Sequence, residues 1–166
     1  MHRVLAIIHE ARERIDTHGF FDWLRLAPVP LADKLAFSPV LADFIMGFAD
    51  LNKWFITYSA PTTAFEHTLN EHSREDQTHS RLFVDEWRKL GFDEQLGWTT
   101  SETLWWWFWC RETEVIRRAA METLGLAERN PDPLVRFALV EAIETCGDVF
   151  FSNTCPIAVA LEDATG

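Results

Sequence analysis

The stretch Thr63-Ala64-Phe65-Glu66-His67-Thr68-Leu69-Asn70-Glu71-His72-Ser73-Arg74-Glu75-Asp76-Gln77-Thr78-His79-Ser80-Arg81-Leu82-Phe83-Val84-Asp85-Glu86-Trp87-Arg88-Lys89-Leu90 decides how this chain folds. Steps of three and four residues trace one stripe along it: Phe65, Leu69, His72, Asp76, His79, Phe83, Trp87 and Leu90. That is the spacing of one α-helical face. Thr63 and Glu66 make a capping-box pattern, in which a hydroxyl and a carboxylate take up free amides at a helix start. Arg88, Lys89 and Gly91 supply a basic last turn and a stop. The reading is one helix over 63–90, about 42 Å long at about 1.5 Å per residue. Both ends of its stripe are apolar, and its middle holds His72, Asp76 and His79. Glu75 lies three after one histidine and four before the other. Burying an imidazole or a carboxylate without partners is costly, so something must compensate. A metal ion bound by nitrogen and oxygen ligands from adjacent turns would do so. So would a buried His–carboxylate pair, or a helix turned to put this stretch in solvent.

Outward from that segment, no stretch alternates apolar and polar residues for long, so the fold class expected is all-α. A first helix is expected over 2–15, ended at Gly19 by a left-handed turn. A short element follows over 20–26, and Pro28 and Pro30 make the chain to Lys34 a connector. A mostly buried helix starts near Pro39 and carries Leu41, Phe44, Ile45, Phe48, Leu51, Trp54 and Phe55. A second capping box, Thr99 with Glu102, opens a helix containing Trp105, Trp106, Trp107, Phe108 and Trp109 and ending near Gly125. Asp132-Pro133 is an N-cap and first-turn pair for a last helix to about Phe151, with Pro156 kinking or ending it. No repeat or linker divides the chain, so a single helical domain over 1–166 is expected.

The last helix repeats the earlier pattern. Phe137, Val140, Glu141, Glu144, Asp148 and Phe151 fall on one side, so three acids interrupt an apolar stripe. Carboxylates on one helix facing a His/Glu cluster on another are the bundle arrangement for a non-haem diiron or dimanganese centre. Acids alone would repel one another and raise each other's pKa. The alternative is that Glu141 and Glu144 straddle the helix edge and only one points inward.

Composition narrows the function. The 166 residues carry 15 Lys and Arg against 26 Asp and Glu, a formal charge of −11, which repels a phosphate backbone and an anionic membrane alike. Nucleic acid and membrane are therefore not expected partners. Cys110, Cys146 and Cys155 form no C-x-x-C pair, which points to a reducing, cytoplasmic setting. The apolar run at the N-terminus is too short for a signal peptide or a span. Eight Trp and 13 Phe against one Tyr favour large apolar contacts within or between subunits.

The segment His72-Ser73-Arg74-Glu75-Asp76-Gln77-Thr78-His79, followed by Phe83, Asp85 and Leu90-Gly91, resembles the first metal-binding helix of the haem-oxygenase-like superfamily. It looks most like the iron-containing branch, the haem-oxygenase-like diiron oxidases and oxygenases. Phe137-Ala138-Leu139-Val140-Glu141-Ala142-Ile143-Glu144 resembles that branch's second, Glu-bearing helix, and the likeness spans roughly 37–154. The resemblance implies a seven-helix all-α bundle and non-haem iron, one or two ions, with manganese as a substitute. It implies O2 activation against a small-molecule substrate, namely an amine, an amino acid or a fatty-acid-like compound. It makes Glu75 and His79 metal ligands, Glu144 the bridging acid, and His72 and Glu141 secondary ligands, with Asp76, Glu141 or Asp148 orienting the histidines. Many members carry Glu where this chain has His72. Members also continue into a further ligand-bearing helix, whereas no histidine follows His79 here. A C-terminally short bundle would leave a groove that favours a homodimer. Two alternatives stand beside it. One is a metal-free enzyme resembling the thiaminase II branch, with Cys146 as nucleophile, although Cys146 and Glu144 do not share a helix face. The other is a non-catalytic binding or assembly module built on the tryptophan-rich helix. His9 and His18 read as surface or capping residues rather than haem ligands.

Overall fold

Side-chain hydrogen bonds to free backbone groups set where the helices of this protein start, stop and restart. A computed structural model describes residues 2–165, and among them every regular element is helical. In order these are α1 (His2–Asp16), α2 (Gly19–Leu26), α3 (Leu31–Leu35), a 3-10 turn (Ser38–Leu41), α4 (Ala42–Asp50), a π-helical segment (Leu51–Ile56) and α5 (Ala64–Asp76). There follow α6 (His79–Lys89), α7 (Phe92–Leu96), α8 (Thr100–Trp109), α9 (Arg111–Arg129) and α10 (Pro133–Thr165). The all-α expectation holds. The described chain forms two compact units, one made of the residues up to Phe37 with those from Phe137 onward, the other of Ser38–Arg136.

The first unit contains α1 to α3 and most of α10. Its apolar centre includes Phe21, Leu24, Leu35, Val149 and Ile157, with Phe37 edge-on to both Phe20 and Phe150. Arg12 meets Asp148 at 2.6 Å and Arg25 meets Asn153 at 2.5 Å, tying α1 and α2 to α10. The expected connector to Lys34 contains α3 instead. Lys34 is buried and its Nζ donates to the Leu24 carbonyl at 2.6 Å, a charge-assisted bond that holds one turn of helix after the prolines. Gly19 is not a left-handed stop but the first residue of α2. The Thr17 hydroxyl takes the Glu13 carbonyl and His18 Nδ1 accepts from Phe20 N, so side chains do the capping. Pro156 neither ends α10 nor stops it short of Thr165. It sits on an exposed stretch, where water can take the carbonyl that proline leaves unbonded.

The second unit packs α4 against α9 and α6, and its core includes Ala42, Ala49, Leu51, Ile56, Leu69, Phe92, Ala120 and Ala127. Gly47 approaches closely enough that a Cβ there would lie 3.9 Å from Ala120 Cβ. The helix expected from Pro39 is present but changes character, from 3-10 to α to π. The wider π turn ends in a set of polar locks. Asn52 Nδ2 donates to the Phe48 carbonyl at 3.1 Å, and the Thr57 hydroxyl donates to the Lys53 carbonyl at 3.0 Å. Asn70 of α5 accepts from Tyr58 N and donates to the Tyr58 carbonyl, both at 2.8 Å. The Tyr58 hydroxyl donates to the Pro131 carbonyl, and the Arg136 guanidinium lies 4.7 Å over its ring.

Two helices expected to be continuous are broken. The one over 63–90 stops at Asp76 and restarts at His79, because Gln77 Nε2 takes the Arg74 carbonyl and the Thr78 hydroxyl takes the Glu75 carbonyl. The tryptophan helix stops at Trp109, with Cys110 extended, and α9 then runs past Gly125 to Arg129. At that break the fully buried Thr113 hydroxyl lies 2.9, 3.1 and 3.2 Å from the Trp106, Trp107 and Cys110 carbonyls. Arg117 Nη1 donates to the Trp107 and Cys110 carbonyls, setting a cation at the negative end of α8. Gly91 and Gly97 adopt the left-handed φ that lets α7 turn on either side, as the Gly91 stop anticipated.

The run 31–56 is long and apolar enough to cross a membrane by length and composition. That is weak evidence for a span, since a core helix passes the same test, and Leu35, Ala42, Ala49, Leu51 and Ile56 within it are buried.

Asn70→Ala removes two half-buried backbone partners at once and should lower unfolding free energy by about 2 kcal/mol, roughly 1 for each hydrogen bond lost. Chemical denaturation of the two proteins measures this. Asp43 gives a pH signature. Burial holds its carboxyl above the usual carboxylate range, with the nearby Arg117 charge opposing in part. A raised acid destabilises the fold increasingly as pH climbs from its unfolded to its folded pKa. Asp43→Asn should therefore be the more stable protein at neutral pH, with the advantage gone below about pH 4. Thermal melts across pH report the difference.

Candidate metal centre

The capping box that starts α5 sets its rotational phase. Glu66 N donates to the Thr63 hydroxyl at 3.3 Å, while Glu66 Oε2 accepts from Thr62 N at 2.5 Å and Thr63 N at 3.0 Å. The Thr62 and then the Thr63 amide bonds hold the Glu66 carboxyl below its ordinary range. With the start fixed, Leu69, Ser73 and Asp76 fall on the buried side, spaced by four and three. Asp76 is the last residue of α5 and His79 the first of α6, so the break at 77–78 leaves the carboxylate between two imidazoles. Asp76 Oδ2 lies 2.7 Å from His72 Nε2, and Asp76 Oδ1 lies 3.7 Å from His79 Nε2. Solvent exposure is graded across the three: 8% for the Asp76 side chain, 24% for His72 and 49% for His79. Phe48 of α4 stacks on His79, with ring centroids 6.3 Å apart and planes 17° off parallel. Phe44 stacks in turn on Phe48.

This is a nitrogen–oxygen–nitrogen donor set of the kind that suits first-row divalent metals. Ligands at about 2.1 Å from a metal and at right angles to one another are about 3 Å apart, a spacing close to the 2.7 Å between His72 Nε2 and Asp76 Oδ2. Asp76 Oδ2 is sealed from solvent and has no aligned hydrogen-bond donor among the described residues. A carboxylate oxygen left so needs a proton or a cation close by. His72 and Asp76 belong to a group of ligand atoms close enough to share one ion, whereas His79 lies too far from His72 for one ion to reach both imidazoles as they stand.

The expected site residues divide between the units. His72 and His79 come together around Asp76. Glu75 follows a different line round α5 and is exposed. Glu141 and Glu144 lie on α10 in the other unit, the first half-buried and the second exposed. The expectation that three acids interrupt a buried face of α10 needs correcting. The buried positions there are Val140, Val149, Thr154 and Ile157, and Asp148 stays at the surface to hold Arg12. Asp76, read from sequence as an orienting acid, is instead the most buried member of the cluster. Its position in the stripe at i+4 from His72 was the available signal. Asn52 and the π turn leave no mark in the sequence pattern, because a single amide inside an apolar run gives no period of its own.

Cys110, Cys146 and Cys155 are free thiols. Burial pushes Cys146 upward, and burial with Glu112 pushes Cys110 upward, the opposite of the lowered pKa an attacking thiol needs. Compared with known proteins, the chain matches no family model and no curated protein sequence.

Proposed function

We propose that this chain is a non-haem iron protein of the haem-oxygenase-like kind. In this reading it is an O2-activating oxidase or oxygenase for a small amine, amino acid or fatty-acid-like substrate, with its metal held by His72 and Asp76 and with His79 beside them. The observation that carries it is the buried Asp76 carboxylate with an imidazole nitrogen beside each oxygen. Iron bound there supplies open coordination positions for O2, and manganese suits the same donors. Asp76 contributes the anionic charge, His72 the more sheltered nitrogen and His79 the more exposed one. Phe48 covers one face of His79 and keeps water from that side. Sequence likeness of 72–79 and 137–144 to the two ligand-bearing helices supports the lineage. Three free thiols and the acidic charge suit a reducing cytoplasm without nucleic-acid partners.

Anaerobic titration of the full chain with Fe(II), and with Co(II) as a spectroscopic probe, should show one equivalent bound with a Kd of about 10 µM or tighter. Asp76→Asn and His72→Ala should each weaken binding about tenfold or more with helical circular dichroism unchanged. Glu75→Gln, Glu141→Gln and Glu144→Gln identify which further acids contribute. Metal that fails to bind, or binds the Asp76→Asn protein equally well, ends this reading. An oxygen electrode with the Fe(II)-loaded protein and candidate amines then tests turnover.

A second reading, a non-catalytic assembly module, is favoured by α8. Trp105, Phe108 and Trp109 are 60%, 60% and 76% exposed there, an outlay of ring surface that a second copy of the chain would cover. Sedimentation at rising concentration should then give a dimer that Trp105→Ala with Trp109→Ala dissociates, and a monomer throughout excludes it.

A further inference from the structure

We propose that the open cavity between the π segment and α5 is a binding site for a small molecule carrying one oxyanion, carboxylate or phosphate, on a flat apolar body. The cavity encloses about 440 Å³ and lies wholly within the second unit, a volume in the range of small-molecule sites. The proposal goes beyond the metal reading and does not depend on it.

Charge is the first argument. In a chain with a net charge of −11, the residues that line this cavity include Lys53 and Arg74 and no acid. Among the described residues, neither the Lys53 ammonium nor the Arg74 guanidinium makes a hydrogen bond or ion pair within the protein. Lys53 and Arg74 line one cavity, and an anion bound there would pair with both.

The second argument is an orphaned hydroxyl. Ser73 lines the cavity, is 2% exposed, and its Oγ has no hydrogen-bond partner among the described residues. A buried hydroxyl costs free energy unless it donates, and an oxyanion accepts from it. Other polar groups nearby are partly engaged. The Asn52 amide nitrogen donates to Phe48, the Gln77 amide nitrogen donates to Arg74, and the Asn70 side chain is occupied by the Tyr58 backbone. Ser73, Lys53 and Arg74 have none of their donors used, while Asn52, Asn70 and Gln77 each keep a second amide N–H.

Backbone and shape complete the case. The π turn is held open by the Asn52, Thr57 and Asn70 bonds, so the wall is built before any ligand arrives. Such single π turns are rare and concentrate at functional sites. Trp54 is the one ring lining the cavity and is 73% exposed. An indole left in water beside two cations offers a stacking face to the apolar body of the ligand.

The test uses the full chain in chelator, so that no metal contributes, and saturation-transfer NMR with isothermal titration. Benzoate and phenyl phosphate are the oxyanion probes, with benzyl alcohol and benzylamine as neutral and cationic controls. At least one oxyanion should bind with a Kd of about 1 mM or tighter and the two controls at least about tenfold more weakly. The better of the two oxyanions identifies which source of anion the site takes. Arg74→Gln and Lys53→Gln, both on exposed residues, should each reduce oxyanion affinity about tenfold, Ser73→Ala about threefold, and Trp54→Ala should weaken all aromatic probes together. Circular dichroism and melting temperature confirm that the variants fold, and Lys53→Gln with Arg74→Gln serves if Ser73→Ala does not. Equal binding of benzoate and benzyl alcohol, oxyanion affinity indifferent to Arg74→Gln and Lys53→Gln, or no binding of either oxyanion overturns the proposal. Metal affinity measured on the same variants should stay at the wild-type value, which separates failure here from failure of the iron reading.

Discussion

Asn70 holds both backbone hydrogen-bonding groups of Tyr58, and the second unit is organised round that clamp. A π turn is wider than an α turn and tends to collapse back to regular geometry unless its ends are held. Here the amide side chain of one helix holds the exit of another, while Arg136 and the Tyr58 hydroxyl fix the same residue from the far end of the unit. With the exit fixed, α5 is fixed in register against the π segment, and so are the side chains one and two turns further on. Together with the capping box at Thr63, this clamp fixes the side of α5 on which Ser73 and Asp76 are buried.

What the sequence made legible was phase and punctuation. Leu69 and Asp76 of the stripe are buried in α5 while α6 buries no residue, both capping boxes form, and Gly91 turns left-handed as expected. Periodicity reports which residues share a face and is blind to whether the helix is continuous along it. The breaks at 77–78 and at Cys110 depend on side chains of ordinary type, Gln77, Thr78, Thr113 and Arg117, bonding to carbonyls that only the folded backbone presents. Nothing in their local spacing distinguishes them from solvated polar residues. The acids of α10 show the converse. They share a face by spacing, yet Asp148 is drawn to the surface by Arg12, a partner 136 positions away in sequence.

The candidate centre also owes its form to a break. A continuous helix would carry His72, Asp76 and His79 on adjacent turns with all three heads equally placed along one line. Stopping α5 at Asp76 instead makes the carboxylate a terminal residue with an imidazole on either hand, one sheltered and one half in water. That asymmetry gives the centre an inner and an outer nitrogen, and an aromatic stack of Phe44 and Phe48 behind the outer one. The cavity beside the π segment uses the next residue along, Ser73.

The junction between α8 and α9 carries a mechanical consequence. Three carbonyls at the end of α8 are gathered by two side chains from a single stretch of α9, Thr113 and Arg117, with the linking residue Cys110 fully extended between them. Such a corner is stiff only while both donors grip it. The aromatic flank of α8 is therefore held through backbone carbonyls rather than through its rings alone, and substitution at position 117 would turn a brace into a hinge.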